Sequence, residues 1–367
     1  MDVRDFDFDL PAELVAQEPI PDRTAARLLV VDRTSGELTH TQITALPNLL
    51  RSGDVIAVNN TRVFPARLLG HRDPSGGAVE CLLVNRHTSA THRQHFGSTS
   101  EAEIGAGAAQ TWEALMHPGQ KLHPGARVIF AGIHTIHGEV LEQKFFGRRL
   151  IRLWTADGSP LDQAIDAIGH VPLPPYIKRE DRNGDRDRYQ TVFARERGSV
   201  AAPTAGLHFT PDLLASLVAH GIERIEITLH VGYGTFQPVR VDRVEDHTIE
   251  PERYGISAAA AHAANRALDD QRRIVAVGTT TTRTLEAAAR RHDGRLAAER
   301  GTTDLFIYPG FDFRIVGGLL TNFHMPKSSL LMLVSAFGGR ELVRRAYDAA
   351  VAERYRFYSY GDAMLIV

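Results

Sequence analysis

A single cysteine, Cys81, stands among 367 residues. That excludes an internal disulfide and every site built from paired thiolates, zinc ribbons and zinc deaminases among them, and it points to a reducing compartment such as the cytoplasm. Long apolar runs are missing too: the longest, LLMLVSAF at 330–337, falls far short of the ~20 residues a membrane-spanning helix needs, so no membrane partner is expected. The opening MDVRDFDFDL is acidic and lacks the apolar stretch of a signal peptide. There is no excess of positive charge, since Lys and Arg number 42 against 44 Asp and Glu, a formal net charge of −2. Any polyanionic partner must therefore be held by a local basic patch rather than by a global field.

Several chemistries fail on their fixed spacings. The chain has no G-x-x-x-x-G-K-[ST] phosphate loop, no H-E-x-x-H and no G-x-S-x-G. The one dinucleotide-like stretch, Gly232-Tyr233-Gly234, has Gln237 where the third glycine belongs and Pro238 where the helix should begin. His134 and His137 lie three apart in a predicted strand, which sends them to opposite faces and makes a poor metal pair. No metal site is expected.

What is present is a globular composition, 43% hydrophobic and 23% charged, at a length that predicts two domains. Up to Asn60 the chain reads as a short helix and two strands, LLVVD and DVIAVNN. From 61 to 154 it reads as short alternating runs between turns, ARLLGHR, AVECLLVNR, WEALMHPG, ARVIFAG, GEVLEQ and RRLIRLW, the texture of a small antiparallel β-barrel or sandwich. The aperiodic run at 87–111 reads as a long mobile hairpin loop. After 155, strands and helices alternate, with Thr210 placed to cap a helix starting at Pro211. The expected architecture is an α/β main domain, 1–60 and 155–367, interrupted by an inserted small antiparallel β-barrel domain, 61–154.

Five loops leave apolar strands and run into small polar residues: VIAVNNTRVFPAR, SVAAPTAGLHFT, ITLHVGYGTFQPV, IVAVGTTTTRTLE and GLLTNFHMPKSSLL. Each alone reads as an ordinary turn with a capping Thr or Asn. Together, at the carboxyl ends of strands in an α/β sheet, they point to one ligand pocket. His208, His230 and His324 each follow an apolar run and are candidates for a general base, although a lone His there is commonly structural. Thr279 and Thr280 open a helix whose free N–H groups suit an anion, and Arg62 and Arg283 sit just past strand ends.

Basic residues gather twice. KFFGRRLIRLW places Lys144, Arg148, Arg149 and Arg152 beside Phe145, Phe146 and Trp154, able to contact phosphates and stack bases; a plain barrel hairpin with its aromatics in the core is the simpler account. IKREDRNGDRDRYQ, which begins with Ile177, Lys178 and Arg179, carries five basic and four acidic residues and reads as a mobile, self-neutralised loop.

As a set, the segments FDFDLPAELVAQEP, GDVIAVNNTRVFPARL, PPYIKR with RYQTVFA, GSVAAPTAGLHFT, ITLHVGYGTFQPV, VGTTTTRTLE, GLLTNFHMPKSSLLMLVSAFGG and YRFYSYGDAMLI run in order from Phe6 to Ile366. They resemble the S-adenosylmethionine:tRNA ribosyltransferase-isomerase family of queuosine biosynthesis. The resemblance implies an α/β domain interrupted by a β-barrel. It also implies transfer and isomerisation of the ribosyl group of S-adenosylmethionine onto 7-aminomethyl-7-deazaguanine at the wobble position of tRNA, giving epoxyqueuosine-tRNA, adenine and methionine. S-adenosylmethionine is then a consumed substrate, with no true cofactor and no metal, and the partner is a tRNA anticodon arm met by a monomer.

On that resemblance, one of His208, His230 and His324 removes a C5′ proton acidified by the sulfonium, with Glu252 as the family's acidic position. Asn60, Thr61, Arg62, Thr204, Gly206, Thr235, Thr279, Thr280, Arg283, Thr321 and Asn322 are the expected substrate contacts. Phe209, Phe236 or Phe323 would stack a base, and Lys144, Arg148, Arg149, Arg152, Lys178 and Arg179 would touch RNA. The chain departs from the family pattern at Glu250, where a second His usually follows His247, at Gly317, where an Asp is usual, and in the length of 87–111. Two competing readings are a noncatalytic RNA-binding protein using the barrel and a phosphoribosyltransferase-like enzyme. The second lacks the acidic pair expected before a Thr-rich turn.

Overall fold

A computed structural model describes residues 1–87, 109–236 and 239–367, the side chain of Phe236 excepted. The chain divides into two compact units, one of Met1–Arg62, Pro174–Glu180 and Asp187–Val367, the other of Val63–Leu173 and Asp181–Arg186. The elements begin with β1 (Arg27–Val31), β2 (Leu38–Gln42), α1 (Leu46–Leu49), β3 (Val55–Asn59) and β4 (Thr61–Val63). Strands β5 (Arg67–Asp73), β6 (Ala78–His87), β7 (Gln110–His117), β8 (Arg127–Phe130), β9 (Ile136–Gln143) and β10 (Arg148–Thr155) follow, then α2 (Leu161–Ile168) and α3 (Asp185–Arg188). Next come β11 (Glu196–Ser199), α4 (Pro211–Ala219), β12 (Glu223–Leu229), β13 (Glu252–Ile256), α5 (Ala258–Asp269), β14 (Ile274–Val277) and α6 (Thr279–Arg291). The chain closes with β15 (Glu299–Thr303), β16 (Val316–Asn322), α7 (Ser329–Gly338), α8 (Arg340–Ala352) and β17 (Ala363–Ile366).

In the first unit a nine-stranded sheet runs in the order β15-β13-β12-β3-β14-β16-β17-β1-β2. Its centre, β12-β3-β14-β16, is parallel, and β3 and β14 within it are buried on both faces, as their unbroken apolar runs VIAV and IVAV require. Alternation splits each strand between two cores: Leu29, Val31, Val55 and Ala57 face α5, α6, α7 and α8, whereas Leu28, Val30, Ile56 and Val58 face α1 and α4. Local chemistry agrees with this layering. Thr210 accepts from Leu213 N at 3.1 Å and Pro211 opens α4, the cap-and-proline start read from the sequence.

The second unit is a closed antiparallel barrel, β10-β7-β6-β5-β8-β9. It runs past Trp154, where texture ended it, because α2 packs on β9 and β10 and Ile168 fills the space beside Gly132, where a Cβ would lie 2.4 Å from it. Asp181 accepts from His170 at 2.8 Å and Arg186 donates to the carbonyls of Asp166 and Gly169. The charged stretch read as mobile thus spends these groups on fixed partners. The run read as a long hairpin loop lies, for residues 88–108, outside the described residues.

Candidate active site

The parallel strands end at one edge, and the loops leaving β12, β14 and β16 wall a pocket of about 690 Å³, its open mouth included. Of the residues expected at a site, Thr204, Thr235, Thr279, Thr280, Thr321, Asn322, Phe323 and His324 line it. Its described lining carries no Asp, Glu, Lys or Arg. Gly278, at φ +92°, makes the turn from β14 into α6 that an L side chain resists. The first N–H groups of α6 then face outward without intrahelical partners. Thr281, Thr282 and Thr284 return their hydroxyls to the carbonyls of Val277, Gly278 and Thr280. Thr280 Oγ1 is buried without a partner.

His324 is buried in this wall, with Nε2 2.8 Å from Thr321 Oγ1 and its backbone N–H donating to Tyr347 OH at 2.9 Å. Burial lowers its pKa to about 3. His208 stands behind Asn322, its Nε2 3.3 Å from Asn322 Nδ2, and burial, with Arg23 and Arg356 nearby, lowers it to about 4. His230 pairs through Nδ1 with Thr61 Oγ1 at 2.8 Å against Gly198, and burial and then Arg253 lower it to about 4. Neither His208 nor His230 lines the pocket.

The other expected residues lie behind the wall. Asn60 binds Thr228 Oγ1 and Glu226, while the neighbouring Asn59 clasps Thr61 N and Leu229 N. Arg62 is exposed. Gly206 serves packing, since a Cβ there would lie 2.7 Å from Thr191 and 2.8 Å from Phe193. Glu252 and Arg283 form a buried ion pair at 2.6 Å, and the other Glu252 oxygen accepts from Gly232 N at 2.9 Å. Glu252 is thereby a partner of Arg283 rather than a free acceptor. Phe209 packs edge-on to Phe193, and Phe323 lies among Tyr347, Tyr355 and Phe357. The Phe209 ring is core, and so is that of Phe323, a residue that also borders the pocket, while the Phe236 side chain is outside the described residues.

Sequence reasoning missed the aromatic wall. Tyr176 and Tyr358 line the pocket with ring centroids 4.7 Å apart. Tyr176 OH meets Ser359 Oγ at 2.5 Å. Tyr358 holds φ +72°, uncommon for a bulky residue, and is fixed there by its N–H to Phe323 O and its carbonyl to Asn322 Nδ2. Among the described residues no group of three or more His, Cys, Asp or Glu is placed to hold a metal ion. None of the described helices is long and apolar enough to cross a membrane.

On the barrel, most of the expected RNA contacts are occupied. Arg148 pairs with Glu113 at 2.9 Å and Arg152 with Glu139 at 2.6 Å. Arg149 is buried and donates to the carbonyls of Leu122 and Gly119. In the other unit Arg179 pairs with Glu18 at 2.9 Å. Lys144 and Lys178 make no ion pair among the described residues. Phe145 and Phe146, which the simpler account put in the core, are 87% and 88% exposed at a hairpin tip. Phe146 turns through φ +56°, which leaves both rings in solvent.

The low pKa values carry a stability consequence. A His that takes a proton in the unfolded chain near its ordinary 6.5 but not in the fold contributes stability that is present above pH 6.5 and lost as pH falls toward 4. For His208 and His324 together the loss between pH 7 and 5.5 is on the order of 2–3 kcal/mol, in a window where carboxylates hardly titrate. Urea unfolding across that range should show it, and a flat midpoint would mean that the imidazoles are charged in the fold.

A mixed α/β sheet with its pocket at the carboxyl ends of parallel strands is an architecture that binds small ligands. The family model described as "Queuosine biosynthesis protein" matches residues 3–366, and the chain belongs to that family. It is 47% identical over 367 residues, all of both chains, to the S-adenosylmethionine:tRNA ribosyltransferase-isomerase of Desulfitobacterium hafniense. It is 48% identical over 369 residues, again all of both chains, to the protein of that name in Solibacter usitatus. The crystal structure of the S-adenosylmethionine tRNA ribosyltransferase from Thermotoga maritima is similar at a TM-score of 0.53 and 33% identity, covering 99% of this chain and 100% of that one. The α/β unit interrupted by a barrel agrees with the architecture expected from texture.

Proposed function

We infer that this protein is a transferase that consumes S-adenosylmethionine, moving and isomerising its ribosyl group onto 7-aminomethyl-7-deazaguanine at the tRNA wobble position. Epoxyqueuosine-tRNA, adenine and methionine are the products. The whole-chain likeness to relatives named for this activity supports the reading. On this chain's own residues it is carried by the pocket, where neutral polar walls, partnerless Thr280 Oγ1 and Asn322 Oδ1 and the imidazole of His324 meet. Tyr176 and Tyr358 supply π faces for the adenine and the sulfonium. The N-terminal ends of α6 and α7, at Thr279 and Ser328, suit the methionine carboxylate. S-adenosylmethionine is a substrate here rather than a resident cofactor. Catalysis belongs to the α/β unit of a cytoplasmic monomer.

The chemistry begins at C5′, whose hydrogens the sulfonium acidifies. His324 removes one, and the electron pair left on carbon initiates ring opening and loss of adenine. The acceptor amine attacks after losing its own proton. The experiment is adenine release from S-adenosylmethionine, expected only with tRNA bearing the aminomethyl-deazaguanine. Folded protein that stays silent overturns the reading, and tRNA binding with no S-adenosylmethionine binding in calorimetry would favour the noncatalytic RNA-binding alternative.

RNA contact falls to Lys144, Lys178 and the Phe145–Phe146 tip, because the arginines are occupied. Few phosphate contacts give a shallow salt dependence, a log–log slope of about −2 to −5 for tRNA binding rather than ~−10. Lys144→Ala should flatten that slope by about one. Phe145→Ala with Phe146→Ala should weaken binding by about 10-fold or more at unchanged slope, since stacking does not depend on counterions. A wild-type slope near −10 would contradict this.

A further inference from the structure

The amide of Asn322 has one orientation available to it. Its Nδ2 lies 3.0 Å from the carbonyl oxygen of Tyr358, which can only accept, so this end of the amide is the NH₂ group. The same nitrogen faces His208 Nε2 at 3.3 Å. A second N–H donated there requires a lone pair on Nε2, hence the His208 tautomer that carries its proton on Nδ1. With both donors engaged, Oδ1 is left buried and without a partner, on a residue that lines the pocket. Buried acceptors of this kind are seldom left unpaired.

We propose that His208 is a positioning residue that locks the Asn322 amide so that Oδ1 faces the substrate as an acceptor, and that Oδ1 receives an O–H of the ribose diol. The proposal rests on the pocket binding S-adenosylmethionine. Thr280 Oγ1, also buried and partnerless on the same wall, can donate as well as accept, and a diol answers both needs because each of its hydroxyls does both. Burial and the guanidinium groups of Arg23 and Arg356 keep His208 neutral, and Arg23 is itself tied to Leu207 O at 3.0 Å. The Nε2 lone pair is therefore available to Asn322 across the neutral range. His208 then acts on the substrate only through Asn322, which separates its role from that of His324.

The test compares S-adenosylmethionine with its 2′-deoxy and 3′-deoxy forms and with its inosine counterpart, which lacks the exocyclic amine, in wild-type protein, His208→Ala and His208→Gln. Wild type should disfavour at least one deoxy form by about 10-fold or more in kcat/KM, and His208→Ala should lose most of that preference while still turning over. His208→Gln, whose amide oxygen can accept in place of Nε2, should restore it. If His208→Ala does not fold, calorimetry of the His208→Gln protein with the same four compounds decides, and loss of the deoxy preference there overturns the proposal. Discrimination that follows the exocyclic amine instead of a hydroxyl overturns the ribose assignment. A His208→Ala protein with unchanged discrimination but lost kcat would make His208 a proton acceptor and overturn the proposal. Wild-type protein that binds none of the four compounds would instead remove the S-adenosylmethionine reading itself.

Discussion

His324→Ala should lower single-turnover adenine release by ~10² or more, the scale of lost acid–base help, while leaving tRNA affinity within a few-fold. His324 is the only one of the three candidate imidazoles that lines the pocket. Nε2 is engaged by Thr321 Oγ1 at 2.8 Å, and the base role requires the tautomer in which Nε2–H donates to that hydroxyl and Nδ1 carries the lone pair. A pKa of about 3 makes the free base the sole form at neutral pH but a weak one in isolation. The sulfonium corrects that weakness. Proton transfer moves one positive charge from the sulfonium side of the pocket to the imidazole without creating a second, so the burial that disfavours the imidazolium disfavours the starting cation too. The rate should accordingly show no acid limb near pH 6.5. Thr321→Val, which removes only the orienting hydroxyl, should cost less than His324→Ala. Unchanged turnover in the alanine variant would take His324 out of the mechanism.

The fold was legible where pattern is local. The apolar runs of β3 and β14 and the alternating strands of the barrel announce their periods, and the polar residues just after β14 and β16 announce the pocket edge. What escaped was whatever depends on distant partners. Arg152 looks like a phosphate ligand until the register sets it directly opposite Glu139, and Arg149 until the carbonyls of Gly119 and Leu122 surround it. Tyr176 and Tyr358 come from segments with no strand-end signature, and only tertiary packing joins them into one wall. The departure at Gly317 has a local account: a Cβ there would lie 2.8 Å from the Arg273 side chain, which reaches Asp54 at 2.6 Å.

Glu252→Gln should destabilise the protein by about 3–5 kcal/mol, the usual effect of breaking a buried ion pair from one side. Both partners are almost fully buried, and the carboxylate serves two donors, Arg283 Nη1 at 2.6 Å and Gly232 N at 2.9 Å. Glutamine keeps the shape but leaves the Arg283 charge without compensation. Arg283 has little else to turn to, since its Nε donates to Leu305 O and its Nη2 is buried without a partner. The pair also bridges β13 to the second turn of α6, one turn beyond Thr279 and Thr280, so its loss should loosen the pocket wall as well as the core. Replacing both residues, Glu252→Gln with Arg283→Met, removes the charge and its partner together and should recover most of the stability lost in the single variant. Urea unfolding of the three proteins at pH 7 measures this. A Glu252→Gln protein as stable as wild type but catalytically dead would return Glu252 from a structural partner to a proton-transfer residue.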